Sequence, residues 1–131
     1  MKNYTITIDT GTTNTRVYLF NEKYEAVASA KSEIGVRITA IDGNNNRLKT
    51  AIRGCLEEVL KQAGITYDEV KKVVASGMIT SNVGLVEIPH VIAPASAEDL
   101  AEAAKSVLIE DVCPLPILFI PGVKNRDGKL D

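Results

Sequence analysis

The stretch Ile6-Thr7-Ile8-Asp9-Thr10-Gly11-Thr12-Thr13-Asn14-Thr15-Arg16 decides how the chain is read. An alternating apolar strand ends on a carboxylate. A glycine follows, then hydroxyls and an amide, and a second strand, Val17-Tyr18-Leu19-Phe20, closes behind them. Period-two alternation on both sides of a small-residue turn predicts a hairpin with its polar groups gathered at the bend. The expected strands are Tyr4 to Asp9 and Arg16 to Phe20.

Working outward, Asn21-Glu22-Lys23 reads as a turn and Glu25 to Ile34 as a weaker third strand, which completes an antiparallel meander. Residues 35–43 read as irregular, with Ile38 and Ile41 buried. Asn44 to Ala63 is the clearest helix. Leu48, Ala51, Ile52, Cys55, Leu56, Val59, Leu60 and Ala63 form an apolar stripe at helical spacing, and Lys49, Arg53, Glu57, Glu58 and Lys61 take the other face. Asn44, Asn45 or Asn46 can cap its start, and Gly64 stands where a terminating glycine belongs. Gly54 costs the helix about 1 kcal/mol relative to alanine, and close packing on a sheet is a reason for it to be there. Val70 to Ser76 predicts a buried parallel strand. Ser96-Ala97-Glu98-Asp99 predicts a capped helix running to about Leu108, with Leu100, Ala103, Ala104, Val107 and Leu108 inward. Ile117 to Ile120 is a last apolar strand after Pro114 and Pro116. The expected order is β-β-β-α-β-α-β, an α/β fold in which a meander is extended by βα units into one mixed sheet.

Bulk properties narrow the function. The 131 residues suffice for one domain. A net charge of -2 with scattered lysines and arginines argues against nucleic acid and anionic membrane surfaces. No apolar run approaches the ~20 residues of a membrane helix, and no signal-peptide core precedes the first strand. Two distant cysteines, Cys55 and Cys113, in apolar surroundings read as reduced core thiols of a cytoplasmic protein. One histidine and no Cys/His cluster argue against zinc. The last residues, Val123 to Asp131, read as the start of a hairpin with Asp127-Gly128 at the turn, stopped in mid-structure. The expectation is a truncated chain whose site is completed elsewhere.

Three chemistries fit the bend. In the first, a tight Gly/Thr turn offers backbone N–H groups and hydroxyls to phosphate oxygens. Gly11 makes the turn tight. Thr12, Thr13 and Asn14 are donors to a nucleotide's terminal phosphates, and Arg16 adds charge. Asp9 holds Mg²⁺, through water, because Mg²⁺ keeps much of its hydration. The second is acid proteolysis, since Asp9-Thr10-Gly11 is also an aspartic-protease pattern; a homodimer would supply the second aspartate. The third is an inert turn whose Asp accepts backbone bonds. No Walker-type or dinucleotide glycine motif is present. A further polar stretch, Gly77-Met78-Ile79-Thr80-Ser81-Asn82-Val83-Gly84, follows a strand. Gly77 lets the backbone turn, and Ser81 and Asn82 offer neutral donors and acceptors suited to a polyhydroxy acid. Arg37 is a candidate partner for a substrate carboxylate. His90, set among apolar residues, reads as a partly buried histidine.

The sequence resembles the actin/hexokinase/Hsp70-type ATPase superfamily and, within it, the 2-dehydro-3-deoxygalactonokinase family. Residues 9–16, 75–84 (Ala75-Ser76-Gly77-Met78-Ile79-Thr80-Ser81-Asn82-Val83-Gly84) and 119–123 (Phe119-Ile120-Pro121-Gly122-Val123) carry the likeness. Thr10 and Thr15 stand where that family commonly has Trp and Leu. The resemblance implies an actin-like, ribonuclease H-like lobe of a two-lobed kinase. ATP and Mg²⁺ would bind between the lobes, and the terminal hydroxyl of a 2-keto-3-deoxy sugar acid would accept the phosphoryl group. This chain would be the N-terminal lobe. The catalytic base is not assignable here and is expected in the second lobe. The alternative class is a non-catalytic nucleotide-binding or assembly module that dimerises through an edge strand.

Overall fold

The computed structural model describes residues 3–77, 91–92, 104–120 and 123–124. Its centre is a six-stranded mixed sheet in the order β3-β2-β1-β4-β7-β6. Strands β1 (Tyr4–Thr10), β2 (Thr15–Phe20) and β3 (Ala26–Ser32) are the expected meander, paired antiparallel in chain order. Helix α1 (Val36–Asp42) and helix α2 (Asn46–Ala63) follow, and a 3-10 turn (Tyr67–Glu69) leads into β4 (Val70–Gly77). β4 lies parallel to β1, with Ile8 beside Ala75 and Thr10 beside Gly77. A two-residue strand, β5 (Val91–Ile92), comes next, then β6 (Lys105–Val107), β7 (Ile117–Phe119) and β8 (Val123–Lys124). β7 runs parallel to β4 and antiparallel to β6, while β5 and β8 form a separate parallel pair.

The core lies between α2 and one face of the sheet. Alternation puts Ile6, Ile8, Val17 and Leu19 on that face, each at most 1% exposed. Leu48, Ile52, Leu56 and Val59 of α2 meet them at 0%. Most of a helix's stability in a protein comes from packing its apolar face, so the docking of this stripe holds the 18-residue α2. Each Leu, Ile or Val so buried contributes roughly 1.5–3 kcal/mol. Gly64 ends the helix in the left-handed region (φ 68°), its N–H donating to the carbonyls of Leu60 and Lys61.

Several expectations are corrected. Residues 36–42 are helical, and Ile41 is 64% exposed rather than buried. Helix α1 forms because the preceding turn satisfies its first N–H groups, which local sequence does not announce. Its last residue is stapled to α2 by a bidentate Arg47–Asp42 pair at 2.8 Å, and the guanidinium holds the Asp42 carboxyl below its ordinary range. Asn45 sits at the N-cap of α2 without a side-chain bond, and Asn44 Oδ1 instead accepts from the Asn46 N–H at 3.1 Å. Gly54 is exposed, and a Cβ there would meet nothing within 4 Å, so close packing does not explain it. The helix expected up to Leu108 does not reach that far. Lys105–Val107 pair with β7, and Leu108 is 49% exposed rather than inward. Non-local pairing with a buried strand overrides helical spacing there. The start of that helix at Ser96 and the turn at Asp127-Gly128 lie outside the described residues. Both cysteines are buried and unbridged. Among the described residues no helix is long and apolar enough to cross a membrane.

Candidate functional site

The bend between β1 and β2 is four residues long, and the Gly11 N–H closes it on the Asn14 carbonyl at 2.8 Å. Period two sorts its flanks. Thr10 and Thr15 face the helix side of the sheet and are fully buried, whereas Asp9 and Arg16 pair across the ladder on the opposite, exposed face. Among the described residues neither Asp9 nor Arg16 is in an ion pair. Asn14 Nδ2 donates to Thr13 Oγ1 at 3.0 Å. The N–H groups of Thr12, Thr13 and Asn14 meet no described backbone acceptor. Asp9, Gly11, Thr12, Thr13, Asn14 and Arg16 together line a concavity of about 190 Å³. These are the six residues that the sequence assigns to a phosphate cradle. The volume is below the ~300 Å³ at which clefts enclose whole small ligands, so it suits the end of a ligand.

The location follows from topology. β1 and β4 run parallel, and Asp9 lies level with Ser76 at their carboxyl ends. In open α/β sheets that edge is where ligands bind, because strands deliver successive loops to it. Gly77 is the last residue of β4, beside Thr10, so β4 ends next to the turn. Ser81, Asn82 and His90 lie outside the described residues.

A second segment holds the turn from behind. At the β3–α1 junction, the Val36 N–H donates to the Gly11 carbonyl (3.1 Å) and the Arg37 N–H to the Thr12 carbonyl (2.9 Å). Buried Thr15 donates its hydroxyl to the Ile34 carbonyl at 2.8 Å and lies 3.5 Å from the Thr10 hydroxyl. The turn's carbonyls thus occupy the orphan donors of the first helical turn. Between these bonds Gly35 presses on the turn: a Cβ there would lie 2.5 Å from the Gly11 carbonyl oxygen and 2.6 Å from the Thr12 carbonyl carbon and oxygen.

Arg37 does not join the first concavity. It lines a neighbouring one of about 250 Å³ with Glu33, Ile38 and Ile41, and the two share Thr12 and Thr13 as a common wall. The sequence reading missed Gly35 and the anchoring role of Thr15. Alternation with Val17 and Leu19 could have placed Thr15 inward, but only the folded chain shows what Gly35 touches.

The donor set suits a phosphorylated ligand with a hydrated cation. Among the described residues no cluster of three His, Cys, Asp or Glu side chains could cage a metal. A single exposed carboxylate matches Mg²⁺, which relies on water and ligand phosphates for most of its coordination. Acid proteolysis needs a second carboxylate beside Asp9, and the parallel strands β4 and β7 with the 18-residue α2 depart from the almost all-β frame of aspartic proteases.

Comparison with known proteins adds the following. A family model described as 2-keto-3-deoxy-galactonokinase matches residues 9–131. A crystal structure of a protein provisionally named 2-dehydro-3-deoxygalactonokinase, from Sinorhizobium meliloti, superposes on 93% of this chain with a TM-score of 0.66 at 21% identity. That likeness establishes the actin-like ATPase fold. The chain spans 36% of that structure's length. A glycerol kinase from Oceanobacillus iheyensis is 31% identical over 71 residues, which are 52% of this chain and 14% of that kinase.

Proposed function

The chain belongs to the 2-keto-3-deoxy-galactonokinase family, and we propose that it forms the nucleotide-phosphate lobe of a sugar-acid kinase. The observation that carries this is the convergence of Asp9, Gly11, Thr12, Thr13, Asn14 and Arg16 on one concavity at the carboxyl edge of the parallel strands. Phosphoryl transfer asks a protein mainly for positioning and charge neutralisation, and these residues supply both. Thr12, Thr13 and Asn14 donate to the terminal phosphates through N–H groups and side chains. Arg16 adds positive charge on the same face as Asp9, which orients the water shell of Mg²⁺. MgATP, when bound, supplies the transferable phosphoryl group.

The acceptor in this proposal is a 2-keto-3-deoxy sugar acid such as 2-dehydro-3-deoxygalactonate, phosphorylated on its terminal hydroxyl. Arg37 takes its carboxylate in the neighbouring concavity, across the shared Thr12–Thr13 wall. Gly77, Ser81 and Asn82 complete the acceptor side by backbone approach and neutral hydrogen bonds. The shared wall keeps the two substrates adjacent, as direct transfer requires. No residue of this chain is assigned as the base, which we place in a second lobe that closes the cleft.

Amide NMR of the chain titrated with MgATP tests this. Shifts should appear at Gly11, Thr12 and Thr13, with a dissociation constant on the order of 1 mM for one wall of a cleft. AMP should be weaker, and ATP should not be consumed when the sugar acid is added. Absence of shifts in the turn at saturating MgATP would refute the phosphate assignment. Turnover by the chain alone would refute its being one lobe.

A further inference from the structure

We infer that Gly35 and Thr15 are positioning residues: the β3–α1 junction acts as a backbone mould that sets the shape of the phosphate turn. The inference rests on the phosphate assignment above and adds two residues that lie outside the lining of the phosphate concavity. Three hydrogen bonds tie the turn to the junction: Val36 N–H to the Gly11 carbonyl, Arg37 N–H to the Thr12 carbonyl, and Thr15 hydroxyl to the Ile34 carbonyl, at 3.1, 2.9 and 2.8 Å. They point the Gly11 and Thr12 carbonyls back into the protein. Carbonyl oxygens aimed at a phosphate would repel it, so holding them away leaves donors on the ligand side.

Gly35 is required for this contact by space, not by backbone conformation. Its φ of -126° and ψ of -165° are open to any residue. A methyl group there, however, would meet three backbone atoms of the turn at 2.5–2.6 Å. Ordinary carbon contacts lie near 3.5–4.0 Å, so the turn must retreat by about 1 Å or its bonds to Val36 and Arg37 must break. Backbone atoms cannot swing aside as a flexible side chain does. Thr15 fixes the other end of the junction. Its side chain is fully buried, so the hydroxyl depends on the carbonyl of half-buried Ile34 rather than on water for its bond. Arg37 extends the consequence: its amide bonds the phosphate turn while its side chain lines the neighbouring concavity. The mould therefore sets both walls of the proposed site together.

The test uses four variants of the chain: Gly35→Ala, Thr15→Val, Thr15→Ser and, as a control, Gly54→Ala on the exposed face of α2. MgATP affinity and amide shifts are read by NMR, the Val36 and Arg37 bonds by hydrogen exchange, and global stability by urea unfolding. Gly35→Ala should weaken MgATP roughly tenfold or more, since misplacement by about 1 Å is costly in oriented sites. It should also speed exchange at Val36 and Arg37 while most other amides stay protected. Thr15→Val keeps the volume and loses the bond, and should weaken MgATP. Thr15→Ser loses a buried methyl group and keeps the bond, so it should lose stability but retain affinity. That crossing separates positioning from a general loss of fold. Gly54→Ala should bind as the parent does. If Gly35→Ala does not fold, the Thr15 pair carries the test. Parent-like MgATP affinity in folded Gly35→Ala, or in Thr15→Val, overturns the inference. If the parent shows no response to MgATP at the turn, the phosphate assignment fails, whereas altered exchange at Val36 and Arg37 in Gly35→Ala still reports on the mould.

Discussion

Gly54 and Gly64 lie within and just beyond the same helix, and replacing each by alanine should move stability in opposite directions. Gly54 occupies an exposed interior position of α2, and a Cβ there meets no atom within 4 Å. The substitution adds no clash and no burial, so it gains only the helix-propensity difference, about 0.8–1 kcal/mol. Gly64 also has open space around its Cβ, but it sits at φ 68°. An L-residue in that region brings its Cβ close to the following carbonyl oxygen, and Gly64→Ala should lose about 1–2 kcal/mol. One chemical change therefore produces a contrast of about 2–3 kcal/mol between two sites. For a chain of this length 1 kcal/mol moves the melting temperature by roughly 3–5 °C, so Gly54→Ala should melt above the parent and Gly64→Ala below it. Urea unfolding followed by circular dichroism gives the free energies, with m unchanged in both variants. Loss of stability in Gly54→Ala would refute the reasoning, because it would mean that the outer face of α2 is packed. A neutral Gly64→Ala would show that the helix does not end in a left-handed residue.

Asp9→Asn should remove most of the Mg²⁺ enhancement of ATP binding, about 10–100-fold in metal affinity for a carboxylate acting through water, while the shifts produced by metal-free ATP persist; equal Mg²⁺ enhancement in parent and variant would sink the assignment. Leu56→Ala removes a side chain at 0% exposure from the helix–sheet interface. It should cost about 3–5 kcal/mol in urea unfolding, a large share of a small domain's stability. Burial pushes the thiols of Cys55 and Cys113 up from their usual 9.0. Groups raised in the folded state contribute stability that is intact below the unfolded value and lost as pH rises through the folded one. The urea midpoint should hold steady from pH 7 to about 8.5 and fall above the ordinary thiol range. The Tyr67 hydroxyl, raised chiefly by burial and then by Cys113 and Glu57, adds to the fall at still higher pH. A midpoint unchanged up to pH 10.5 would show that these groups are open to solvent.

Most of the frame was legible in local pattern. The meander, the stripe of α2 and the terminating Gly64 depend on neighbouring residues and their spacing, and all three stand in the structure. Residues 36–42 read as irregular because what makes them helical is distant: the first N–H groups of α1 are satisfied by the carbonyls of Gly11 and Thr12. Lys105–Val107 carry helical spacing but take a strand, because β7 offers them a ladder that helix formation would forgo. Gly54 shows the reverse case, a glycine whose assumed packing role has no neighbour to support it.

By itself the sequence determined which residues the proposed cradle would use. The order strand, carboxylate, glycine, hydroxyls, strand is contiguous, and its chemistry is a property of residue type and period-two alternation. Only the tertiary structure decided that the six residues share one concavity, that Arg37 faces a second one across a common wall, and that Gly35 presses on the turn from behind. Those are facts of close approach between segments far apart in the chain. A glycine in the sequence is silent about whether its missing methyl group leaves open water, as at Gly54, or the space that the β1–β2 turn itself fills, as at Gly35.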